Sequence, residues 1–114
     1  MPIETAPAPL KTFEQFIEEN FGDGDEEKPW HVVLLDDDHH TYDYVIEMLN
    51  KIFGYSLRKA FLMACEVDEK KRVIVWTGHL EKAEAYQEEI HDYGPDWRME
   101  SSKGSMTAVL ERAP

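Results

Sequence analysis

Residues 32–53, VVLLDDDHHTYDYVIEMLNKIF, constrain the fold more than any other part of the chain. Residues 31–35 form a continuous apolar run, short and β-branched, which reads as a buried strand. Three aspartates, Asp36, Asp37 and Asp38, end it abruptly. The pattern then changes period: Val45, Ile46, Leu49, Ile52 and Phe53 fall on one face of a helix over 42–53, and Gly54 can cap its end. A strand delivered into an acidic turn and then into an amphipathic helix places carboxylates where the sheet meets the first helix.

The rest of the chain supplies the partners that this strand and helix need. Ser56 is placed as the N-cap of a second helix, with Leu57, Ala60, Phe61, Ala64 and Val67 on its apolar side. Residues 72–77, RVIVWT, read as a second strand, and 79–93 as a third helix apolar on Leu80, Ala83, Tyr86 and Ile90. Residues 97–100 and 105–110 both alternate and are expected to pair as a C-terminal hairpin over 101–104. The order is βααβαβ, an α+β fold in which a small three-stranded sheet packs against three helices. At 114 residues, 42% of them hydrophobic, there is one core to build.

Ahead of this core, residues 1–28 carry eight acidic and two basic side chains, a net of −6 out of −12 for the whole chain. Residues 1–11 are rich in Pro and small residues and read as a flexible lead-in. Thr12 and Gln15 fit a capping box, after which Phe13, Phe16, Ile17 and Phe21 recur at helical spacing, giving a short helix over 13–21. Residues 22–28 form an acidic hinge, so the boundary falls between an extension, 1–28, and a core domain, 29–114. The first residues lack the basic and apolar regions of a secretory signal, and no run approaches the roughly 20 apolar residues of a membrane span. Cys65 is the single cysteine, expected as a small buried apolar residue. The expectation is a cytoplasmic monomer that meets neither membrane nor nucleic acid, because both partners are met by clustered Lys and Arg.

Three chemistries fit an acidic strand end. A phosphate-receiver domain also begins this way, but it needs a second strand ending in the acceptor Asp. Here the element after the first helix is another helix, and residues 72–77 end in Thr77-Gly78. A divalent-metal site is the second. Adjacent residues 36–40 cannot all converge on one ion, because side chains along an extended segment alternate sides. No metal and no cofactor is therefore expected, although an acidic metal-binding protein stays as a minor alternative. No Gly-rich phosphate loop, nucleophile elbow or Cys-His arrangement suggests an enzyme.

The third is a protein-binding site, and here the chain resembles a known family. Asp36-Asp37-Asp38, His39, and then His40-Thr41-Tyr42-Asp43-Tyr44-Val45 stand where the ClpS family has Asn-Asp-Asp, a variable residue and Thr-Pro-Met-Glu-Phe-Val. The resemblance runs from Trp30 through the third helix and resumes in the last strand, about three quarters of the chain. It implies an adaptor that binds the bulky hydrophobic first residue of a protein substrate, together with its free amine, and delivers that protein to a Clp ATPase-protease. The implied partners are the N-domain of a Clp-type AAA+ unfoldase and the N-terminal segments of substrates. The α-amine would be held by Asp36, Asp37 and Asp68, the last standing where the family has His. The hydrophobic pocket would comprise His40, Tyr42, Val45, Ala64, Val67 and Met106, with Tyr42 and Ala64 standing where the family has Met. Glu81, Glu84 and Tyr86 occupy the unfoldase-facing positions at the start of the third helix, with Tyr86 in place of a Lys. The alternative is a module of the same fold with altered or lost terminus recognition.

Overall fold

The computed structural model describes residues 28–114. The short helix expected over 13–21 lies outside the described residues, as does all of the extension except Lys28. The elements are β1 (Trp30–Leu35), α1 (Tyr42–Phe53), α2 (Leu57–Lys70), β2 (Arg72–Gly78), α3 (Leu80–His91) and β3 (Thr107–Arg112). They form one three-stranded sheet in the order β2-β1-β3 with both pairings antiparallel. The apolar run therefore becomes the central strand, hydrogen-bonded along both edges.

Alternation on each strand decides which face meets the helices. Val32 and Leu34 of β1, Val73 and Val75 of β2, and Ala108 of β3 point into a core with Tyr44, Val45, Met48 and Leu49 of α1, Ala60, Ala64 and Val67 of α2, and Ala83 and Ile90 of α3. On the opposite face Val33 pairs with Ile74 and Val109 and is fully buried. Arg72, opposite Leu35, reaches Glu111, opposite His31, through two hydrogen bonds of 2.8 and 2.5 Å. That pair crosses β1 at the level of Val33.

Local signals fix the helix ends. Thr41 caps α1, its hydroxyl accepting from the Tyr44 amide at 3.1 Å, and Gly54 closes it in the left-handed region at φ 73°. Ser56 caps α2 by accepting from the Lys59 amide at 3.1 Å. The far end of α2 is less usual: Lys71 takes φ 71°, a conformation that costs a non-glycine residue about 1–2 kcal/mol. Between Val32 and Val33 the β1–β2 register slips, so that Val75 opposes no residue of β1. The Val75 carbonyl accepts the Tyr55 hydroxyl at 2.6 Å, which ties the α1–α2 connection to the sheet.

Three expectations change. The C-terminal hairpin does not form: residues 97–101 wind in turns, and β3 pairs with β1 instead. Asp96 is the reason. Its carbonyl accepts from the Met99 amide at 3.1 Å and its carboxylate from the Arg98 amide at 3.0 Å, so the donors a hairpin needs are used locally. The apolar side of α2 is also narrower than its pattern suggests. Ala60, Ala64 and Val67 are buried, but Leu57 is 64% and Phe61 46% exposed. Cys65 is half-buried rather than buried.

Candidate functional site

The acidic strand end, the start of α1, the second half of α2 and the residue before β3 meet around one cleft. Its lining is Asp36, Asp37, His40, Thr41, Tyr42, Val45, Ala64, Val67, Asp68 and Met106. Every residue named above for the amine and for the hydrophobic pocket stands in this cleft, drawn from four parts of the chain. Val45, Ala64, Val67 and Met106 are nearly inaccessible and make an apolar floor. The carboxylates of Asp36, Asp37 and Asp68 stand above it, a floor and rim suited to an amphiphilic cation.

One wall of the cleft is fixed by hydrogen bonds that are partly or wholly buried. His40, its side chain 4% exposed, lies with Nδ1 2.7 Å from Asp37 Oδ1 and Nε2 2.7 Å from the Gly104 carbonyl. Its ring rests against Tyr44 at 4.5 Å. Behind it, Asp96 Oδ2 accepts from the Thr41 amide at 2.7 Å and the Thr41 hydroxyl at 2.8 Å. Asp96 Oδ1 takes the Arg98 guanidinium at 3.1 Å, and the Asp96 amide donates to Ser102 Oγ at 2.8 Å. Burial would raise the Asp96 carboxyl, but these donors from Thr41 and Arg98 together outweigh it and hold the group down at about 2. The loop 94–106 is thereby fastened to the first turn of α1.

The opposite wall is one exposed contact. The Tyr42 hydroxyl donates to Asp68 Oδ2 at 2.6 Å, joining α1 to α2 across the mouth, and the Tyr42 ring leans toward Phe61 at 6.3 Å. The hydrogen bond to the carboxylate is the main reason the phenol is pushed up to about 12. With Tyr42 so placed the cleft encloses about 60 Å³. That is room for about two waters, whereas a cavity known to admit benzene measures about 150 Å³. Turning the Tyr42 ring outward would enlarge this space and would break its hydrogen bond to Asp68. Beside this, Asp36 has a cation already: Lys71 Nζ stands 3.5 Å from its carboxylate, and the Lys71 carbonyl accepts the Asp36 amide at 3.0 Å.

The positions named for an unfoldase lie elsewhere and are divided. Glu81 and Glu84 border an open hollow on α3 together with Glu88 and His91. Tyr86 points away from it and packs inward, 4.5 Å from Phe53 and 5.0 Å from Trp76. Among the described residues no group of three or more His, Cys, Asp or Glu is placed to hold a metal ion. No helix among them is long and apolar enough to cross a membrane. Sequence reasoning passed over Asp96, Ser102 and Gly104. Nothing local marks them, since their role appears only when the loop meets residues 40 and 41 some 55 to 64 positions away.

Residues 25–96 match the family model described as ATP-dependent Clp protease adaptor protein ClpS. The chain belongs to the ClpS family. A ClpS adapter protein of Streptomyces avermitilis is 33% identical over 91 residues, covering 79% of this chain and 87% of the relative. One from Streptomyces coelicolor is 31% identical over 77 residues, covering 68% and 80%. Among solved structures, Agrobacterium tumefaciens ClpS2 bound to L-phenylalaninamide superposes with a TM-score of 0.65 over 75% of this chain and 98% of that one. At 20% identity that likeness speaks to the ClpS fold, α+β with three helices against one antiparallel sheet.

Proposed function

We propose that this chain is a non-enzymatic, cytoplasmic adaptor that receives the N-terminal residue of a protein substrate in the cleft between α1 and α2 and delivers that protein to a Clp ATPase-protease. The observation that carries the reading is the convergence of Asp36, Asp37 and Asp68 over an apolar floor of Val45, Ala64, Val67 and Met106. An α-amino group is mostly protonated at pH 7 and leaves water only for paired acceptors. Charge-assisted hydrogen bonds contribute about 1.5–3 kcal/mol each, and a buried large side chain about as much again. After the cost of association, affinities near micromolar are the expectation. The solved relative named for its complex with L-phenylalaninamide presents this ligand chemistry, an aromatic side chain beside a free α-amine. Glu81 and Glu84 on α3 are assigned to the unfoldase N-domain, and residues 1–28 to an extension outside the core domain.

Titration with peptides that differ only in their first residue tests the reading. Phe- and Leu-starting peptides should bind at least tenfold more tightly than Ala-starting ones, and acetylation of the amine should abolish the difference. A second reading, a module that has lost terminus recognition, is favoured by the Tyr42–Asp68 contact that closes the cleft. Binding indifferent to the first residue and to acetylation would select it. Degradation of a Phe-starting reporter by the Clp ATPase-protease, with and without the chain, tests delivery separately.

A further inference from the structure

The first half of α2 presents an apolar and basic surface that the core does not use. Leu57 and Phe61 form one row of side chains four residues apart, and Arg58 and Leu62 the next. Leu57 is 64%, Phe61 46% and Leu62 53% exposed, and Arg58 and Lys59 between them are exposed as well. The first turn of α2 contains no acidic residue. Basic side chains at the positive end of a helix are electrostatically misplaced unless an anion covers them. The surface therefore asks for a partner that is apolar and acidic together.

The chain contains such a segment. Within residues 13–21, FEQFIEENF, Phe13, Phe16, Ile17 and Phe21 recur at helical spacing, with Glu14, Glu18 and Glu19 between them and no basic residue. The connection is also short enough. Because α2 passes through Lys71 directly into β2, whose Arg72 pairs with Leu35, the start of α2 lies toward the other end of the sheet, where Trp30 pairs with Gly78. Tyr55, two residues before Leu57, is held there by the Val75 carbonyl. The described chain begins at Lys28 beside that end, and the six residues 22–27 span up to about 20 Å when extended. We infer that residues 13–21 dock on the face of α2 formed by Leu57, Arg58, Lys59, Phe61 and Leu62. Phe61 also neighbours the Tyr42 ring, so the docked segment borders the mouth of the cleft. This goes beyond the adaptor reading and stands or falls without any peptide ligand.

Site-resolved hydrogen exchange on the full chain provides the test, comparing wild type with two full-length variants, Phe13→Ser/Phe16→Ser/Ile17→Ser and Phe61→Ser/Leu62→Ser. In the wild type, amides of residues 13–21 should exchange at least tenfold more slowly than in a free chain, and each variant should abolish that protection. The first variant should also shift amide signals confined to residues 57–63. Phe61 and Leu62 are exposed and take no part in the core, so the unfolding midpoint of Phe61→Ser/Leu62→Ser should stay close to wild type. Free-chain exchange of residues 13–21 in the wild type would overturn the inference. So would protection that survives Phe61→Ser/Leu62→Ser, or protection that rises with protein concentration, which would place the segment on a second copy.

Discussion

The two walls of the cleft are built on opposite terms. On one side the carboxylate of Asp96, a residue 1% exposed, accepts four hydrogen bonds, while His40 spans Asp37 and the Gly104 carbonyl. On the other a single exposed hydrogen bond, Tyr42 to Asp68, joins two helices across the mouth. Buried polar groups are costly unless fully satisfied, and once satisfied they resist rearrangement. An exposed pair trades readily with water and is worth little either way. One wall is thus held by many partners at once and the other by a single contact open to water.

The largest effect should come from breaking the fixed wall. Asp96→Ala removes the acceptor for the Thr41 amide and hydroxyl and for Arg98, and should cost about 3 kcal/mol, read by urea unfolding. That is a substantial part of the 5–15 kcal/mol typical of a domain. Acid should do part of the same work. Because the folded Asp96 carboxyl is held at about 2, below its ordinary 3.8, its contribution is fully present above pH 4 and is lost as pH falls from about 4 toward 2. The loss should be roughly 2 kcal/mol, and Asp96→Asn should flatten the stability profile over that window.

Smaller effects fall on binding. Asp37→Asn keeps an acceptor for His40 and for the His39 amide, which Asp37 Oδ1 takes at 2.8 Å, but removes a charge from the rim. Affinity for a Phe-starting peptide should fall about tenfold with the unfolding midpoint little changed, as calorimetric titration can show. Smallest is Tyr42→Phe, which deletes the closing hydrogen bond and leaves the ring. Stability should move by less than about 0.5 kcal/mol, while peptide affinity rises severalfold, because Asp68 no longer has to be released. A drop in affinity with Tyr42→Phe would mean that the hydroxyl holds the ligand instead of the door.

Legibility in the sequence follows the range of the interactions. The bounds of α1 were readable because Thr41, Gly54 and the apolar face lie within a dozen residues of one another. The cleft was readable through the family resemblance, which named Asp36, Asp68 and Met106 together although 70 residues separate the first from the last. The turns at 97–101 were not, since alternation there looks like a strand until Asp96 is known to be buried. Periodicity marked Leu57 and Phe61 as one side of α2 but could not say how far the core reaches around it. Tyr86 is a different case: it stands two residues from Glu84, about 200° around a helix, so its separation from the acidic face could have been counted.

Lys71 repays a last look. A left-handed turn between α2 and β2 would suit glycine, and a lysine there carries a conformational penalty. It also sets a primary ammonium 3.5 Å from Asp36, the same functional group that a protein's first residue would bring. On the adaptor reading proposed above, Lys71 stands at Asp36 as an understudy for that amine. Lys71→Gly would relax the backbone and vacate that place in one change, coupling a local conformational penalty to the cation beside Asp36.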